Sequence, residues 1–187
     1  MKKLLSLLLA AVMVMSLAAC GEQADNSSDD RAYTPANALD MLNAVWNTYG
    51  DDEKFPAAGG DYSEANNVSD APGVYDLTDR AAVNSSLGLP ETAEVDEAAS
   101  LMHMMNANTF TAAAYHATGD AQALATAVRD NIQQRQWMCG FPEKLIVAVV
   151  GDYVLSAYGL TDQMDTFISH FSGIYGASTI VYNEAIQ

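Results

Sequence analysis

The chain predicts an α+β domain, and three observations carry that prediction. Residues 145–150 and 153–158 are apolar runs joined by Gly151-Asp152, the pattern of a β-hairpin. Residues 109–116 are rich in β-formers at both ends and close at Gly119, which reads as a further strand. Much of the remaining sequence shows apolar residues at helical spacing behind a capping side chain. The expected order is N-terminal helices, then strand, helix, hairpin and helix, with the helices packed on a small, mostly antiparallel sheet.

Taken in order, Thr34-Pro35 is a helix start, a hydroxyl cap followed by proline at the first helical position. Leu39, Leu42, Trp46 and Tyr49 follow at helical spacing, and Gly50 stands where a terminating glycine belongs. Residues 51–76 hold Pro56, Gly59-Gly60, Pro72-Gly73 and seven acidic residues, the composition of a long loop. A short helix is expected from Asp79 to Leu87, closed by Gly88. A third is expected over 92–105, with Val95, Ala98, Ala99, Met102 and Met105 along one face.

Beyond the strand, Asp120 caps a helix carrying Leu124, Val128 and Ile132 on one stripe. It runs to about Trp137, where Cys139-Gly140-Phe141-Pro142 breaks it. In the hairpin, glycine first in a two-residue loop fits a type II′ turn, whose first central residue needs positive φ. Both hairpin faces are apolar, so both should be covered. Thr161 caps the last helix, with Met164, Phe167, Ile168 and Phe171 on its buried side.

The start of the chain has a different logic. Met1-Lys2-Lys3 opens an apolar segment, Leu4 to Val14, that ends in Leu-Ala-Ala-Cys at residues 17–20. A basic opening, an apolar stretch and small residues before one cysteine form a bacterial lipoprotein signal. The apolar run is near the short end for crossing a bilayer, which takes about 20 residues. The expectation is a leader over 1–19, cleavage before Cys20 and a lipid on the Cys20 thiol. A polar tether over 20–33 and a single domain over 34–187 follow. The protein is then extracytoplasmic and lipid-anchored, with the bilayer as its first partner.

Net charge is −16, and loss of Lys2 and Lys3 with the leader makes it −18. Such a surface repels phosphates, so nucleic acid is excluded as a partner. With Cys20 consumed, Cys139 has no cysteine to pair with and no internal disulfide forms.

Five groups of residues invite chemistry. Met102-His103-Met104-Met105 offers soft ligands for copper, but the helical spacing puts Met102 and Met105 in a core face. His103, His116 and His170 have no zinc spacing. Cys139 next to a histidine could serve a hydrolase as nucleophile; at a helix C-terminus, among Trp137, Met138 and Phe141, it reads as a buried structural thiol. Asp51, Asp52, Glu53, Asp61, Glu64, Asn66 and Asp70 suit calcium in oxygen chemistry, without the order of a calcium loop. Asn106 and Asn108, between two elements, ordinarily cap backbone groups. Phosphate loops, nucleophile elbows and dinucleotide fingerprints are absent from the sequence.

Asn106-Ala107-Asn108-Thr109-Phe110-Thr111, then Cys139-Gly140-Phe141-Pro142-Glu143-Lys144, then Gly151-Asp152-Tyr153-Val154 resemble a family of bacterial lipoproteins, domain of unknown function 4358. The resemblance covers residues 77–172. It implies the same layout of lipid-attachment cysteine, tether, single domain and glycine-centred hairpin, and brings no catalytic set. The functional expectation is a non-enzymatic binding module for an envelope protein or small ligand, without metal or cofactor. Its expected contact residues are Asn106, Asn108, Trp137, Cys139 and Phe141, the last three forming an apolar edge. The alternatives are a thiol- or metal-dependent hydrolase using Cys139 or a histidine, and a calcium- or copper-binding envelope protein.

Overall fold

The computed structural model describes residues 33–187; the expected leader over 1–19, Cys20 and the expected tether as far as residue 32 lie outside them. The described helices are α1 (Ala38–Trp46), α2 (Arg80–Leu87), α3 (Ala121–Gln133) and α4 (Thr161–Tyr175). The strands are β1 (Ala57–Gly59), β2 (Val68–Ser69), β3 (Gly73–Val74), β4 (Val95–His103), β5 (Phe110–Ala117), β6 (Lys144–Val150), β7 (Tyr153–Gly159) and β8 (Ile180–Ala185). They form one antiparallel sheet in the order β2-β1-β4-β5-β7-β6-β8, with β3 also on the outer edge of β4. The α+β class is the expected one, though the sheet is larger. No helix among the described residues is long and apolar enough to cross a membrane.

The connections explain where the helices lie. β5 and β6 are parallel with β7 between them, and β7 and β8 are parallel with β6 between them. α3 and α4 each therefore complete a split β-α-β crossover. Both crossovers step the same way across the sheet but start from strands of opposite direction. Crossovers of one hand, the rule for such units, must then put their helices on opposite faces. The packing agrees. Met164, Phe167, Phe171 and Tyr175 of α4 join α1 over Phe110, Ala112, Ala114 and Ile146. Leu124, Val128 and Ile132 of α3 join α2 over Ala113, Tyr115, Leu145 and Val147. The hairpin faces are covered on both sides, as their composition requires.

Local signals hold at several junctions. Asp79 accepts a hydrogen bond from the Ala82 amide, and Gly88 closes α2 at φ +77. Asp120 caps α3 by accepting from Gln122 and Ala123. In the β6–β7 turn Gly151 has φ +60, while Asp152 stays out of the positive region, as a type II′ turn demands.

Other expectations are corrected. Residues 95–103 of the expected helix over 92–105 are strand β4. β4 is covered on both faces, so apolar residues occupy both parities, and this run coincides with helical spacing. The loop over 51–76 contains β1, β2 and β3, too short to show a period. α1 is capped by Asn37, which accepts from the Asp40 amide at 2.7 Å, and not by Thr34. α3 ends at Gln133, short of Trp137. Thr161 begins α4 but does not cap it; the Glu143 carboxylate accepts from the Thr161 amide and hydroxyl at 2.9 and 2.6 Å. Arg129 of α3 grips Glu184 of β8 through two parallel bonds, fastening the C-terminal strand to the helix layer and lowering the Glu184 pKa.

Candidate functional site

The β4–β5 connection, residues 104–109, meets the α3–β6 connection, residues 134–143, at one end of the sheet. Asn106 Oδ1 accepts from the Asn108 amide at 3.0 Å, a side-chain turn that sets both asparagines. Asn106 Nδ2 then donates to the Cys139 carbonyl at 3.0 Å. Asn108 Nδ2 donates to the carbonyls of Met138 and Gly140 at 2.8 and 3.1 Å. Both asparagines cap backbone groups, but of a segment about thirty residues away. The three bonds staple the two loops together.

The stapled segment has an unusual backbone. Cys139 has φ +63 and Gly140 φ +138, a bend that side chains other than glycine's resist. A Cβ at position 140 would also stand 3.2 Å from Asn106 Nδ2. The result is a fixed apolar tip. Met138 and Phe141 are 79% and 74% exposed, beside Met105 at 80% and Met104 at 50%. Cys139 is exposed, which corrects the expectation of a buried thiol. α3 ends six residues earlier, so Cys139 lies on the protruding loop and not against a helix.

Trp137 differs from its neighbours. It is half-buried at the root of the loop, its ring 5.1 Å from Tyr158 with the Arg135 guanidinium 4.7 Å above it. Arg135 in turn donates to the Tyr158 hydroxyl at 2.9 Å. Trp137 anchors the loop, whereas Met138 and Phe141 are what it presents.

The metal alternatives find no convergent donors. His103 Nδ1 accepts from the Met105 amide at 3.2 Å, and its ring stacks on Phe55. His116 pairs with Asp96 at 2.6 Å, and His170 contacts Thr48 and Glu53. Among the described residues no three histidine, cysteine or acidic side chains form a group that could hold a metal ion. Met102 is buried while Met104 and Met105 are exposed, so the methionine run does not share one face.

The acidic segment over 51–76 uses its carboxylates locally. Partial desolvation of Asp61 would raise its pKa. Hydrogen bonds from the Ser63 and Asn66 side chains and the Ser63 and Asp76 amides outweigh it and bring the value down to about 2. Glu53 accepts from the Gly50 amide and faces His170 at 3.2 Å.

Comparison of the chain with family models, with curated proteins and with solved structures gave no match.

Proposed function

We propose that this chain is a membrane-anchored extracytoplasmic binding module that holds a protein partner on its stapled loop and carries out no covalent chemistry. One observation carries the reading. Two asparagines are committed to fixing a strained loop whose side chains point into solvent. Ordering a flexible side chain or loop on binding costs affinity, and a loop already held avoids much of that cost. Methionine and phenylalanine tips supply adaptable apolar contact, the chemistry of protein docking.

The anchor rests on Leu-Ala-Ala-Cys at residues 17–20. Thirteen residues after Cys20 the described domain begins at Tyr33, and it enters the fold at the end of the sheet away from the loop. There Tyr153 donates to the Ala36 carbonyl and the Ala38 amide donates to Glu97. This puts the chain's entry and its apolar tip at opposite ends of β4. The thiol-hydrolase alternative has the exposed Cys139 in its favour, but all three histidines engage other partners.

The test is site-specific photo-crosslinking in the envelope from position 138, with position 122 on α3 as control. A partner identified from 138 and not from 122 should bind the purified chain. That binding should fall at least tenfold in the Met138→Asp/Phe141→Asp double variant, with an unchanged melting temperature. Equal crosslinking from both positions, or undiminished binding by the double variant, overturns the reading.

A further inference from the structure

A cleft of about 610 Å³ opens at the other end of β4 from the stapled loop. Its back wall is strand edge. β3 runs along that edge, and pairing continues only to the bond from the Tyr75 amide to the Ala98 carbonyl at 2.8 Å. The chain then passes into Asp76, Leu77 and Thr78, which line the opening beside Asp96 and Glu97. Leu39 belongs to the apolar layer on one face of the sheet and Leu77 to that on the other. Tyr75, Ala98 and the half-exposed Val74 add to the apolar lining.

The polar groups have one sign. Asp76, Asp96 and Glu97 line the cleft, and no lysine or arginine does. Each carboxylate is held in place. Glu97 accepts from the Ala38 amide at 3.0 Å, capping α1 from another strand. Asp96, at a bulge in the β4–β5 register, meets His116 at 2.6 Å. Asp76 accepts from the Thr78 amide at 2.6 Å, and its hydrogen bonds with Thr78 lower its pKa from the ordinary carboxylate value. A carboxylate offers about four acceptor positions, so each retains capacity for a donor from outside.

We propose that this cleft binds a small organic cation, with its ammonium group among Asp76, Asp96 and Glu97 and its apolar body between Leu39 and Leu77. The volume is in the range of small-molecule sites, roughly 300–1,000 Å³. The charge excludes anionic ligands. It also opposes occupation by the chain's preceding segment, where Glu22, Asp25, Asp29 and Asp30 outnumber Arg31. The site is independent of the protein-docking loop, about 23 Å away along the strand at about 3.3 Å per residue.

The experiment titrates the full chain with tryptamine and with indole-3-propionate, which share an aromatic body and differ in charge. Amide chemical shifts are followed by NMR. A ligand of tryptamine's size, about twelve heavy atoms, is expected to bind with a Kd on the order of 1 mM. Shifts should concentrate at residues 37–39, 74–78 and 96–98, with indole-3-propionate at least tenfold weaker. Asp76→Asn should weaken tryptamine severalfold. Val74→Arg, at an exposed position, should abolish the response without lowering the melting temperature. Equal affinity for the two probes, shifts mapped to 104–108 and 138–141, or no saturable change by about 10 mM would each overturn the proposal.

Discussion

The side-chain amide of Asn106 reaches the carbonyl of Cys139 at 3.0 Å, and Cys139 is one of the few described non-glycine residues at positive φ. A strained residue persists where its surroundings over-determine it. Here they are the two asparagines and the Trp137 root.

Asn108→Ala removes two donors from the Met138 and Gly140 carbonyls. The lost bonds are exposed, so global stability should fall by no more than about 1 kcal/mol. Amide exchange should accelerate over 137–141 while β6 and β7 keep their protection. Unchanged exchange in the loop would show that it does not depend on the staple.

Cys139→Gly should raise stability by roughly 0.5–1 kcal/mol, because glycine carries no Cβ penalty at φ +63. The gain is reduced by glycine's greater freedom in the unfolded chain. Before substitution, the exposed Cys139 thiol should react with a thiol reagent in the folded protein within about tenfold of its rate in denaturant. Slow labelling would contradict its placement.

The pH response should carry the mark of Asp61. Its folded pKa of about 2 lies below the ordinary carboxylate value of 3.8, so its ionised form stabilises the fold. That stabilisation is complete well above the ordinary value and is lost as pH falls through about 2. Asp61→Asn should therefore cost up to about 1 kcal/mol at neutral pH, after allowance for solvent screening. The difference from the parent chain should shrink as pH falls through about 2, as denaturant melts at each pH would show.

Gly59→Ala should be among the most damaging single changes. A Cβ there would come within 2.2 Å of the Gly73 amide nitrogen and 2.5 Å of the Ala71 carbonyl oxygen. Both are backbone atoms and cannot swing aside. A loss of about 2–3 kcal/mol is expected, with exchange rising first over 57–75 as β1 and β3 separate from β4. A melt within 1 °C of the parent would refute the close approach.

The hairpin was legible because a positive-φ glycine turn and two doubly covered strands leave a pattern that nothing else imitates. α2, α3 and α4 were legible from stripe, cap or terminating glycine. β4 was not, because Ala98 to Met102 are buried without a break and are built partly of helix-favouring alanine, leucine and methionine. β1, β2 and β3 exist as a consequence of pairing with one another and with β4, which no local window contains. The site divides the same way. Asn106 and Asn108 stood out by their position between elements, but their target at 138–140 is a tertiary fact. The cleft joins residues 37–39, 74–78 and 96–98, three segments without a shared motif.

The order in which the chain is made bears on α1. It emerges early, yet much of what holds it emerges late. Tyr175 donates to the Met41 carbonyl, Tyr153 to the Ala36 carbonyl, and Met164, Phe167 and Phe171 belong to the same apolar layer. Until synthesis has passed Tyr175, α1 has no complete seat, and the face it shares with α4 stays open to solvent or to a chaperone. The first of the described helices thus depends on partners that the chain supplies last.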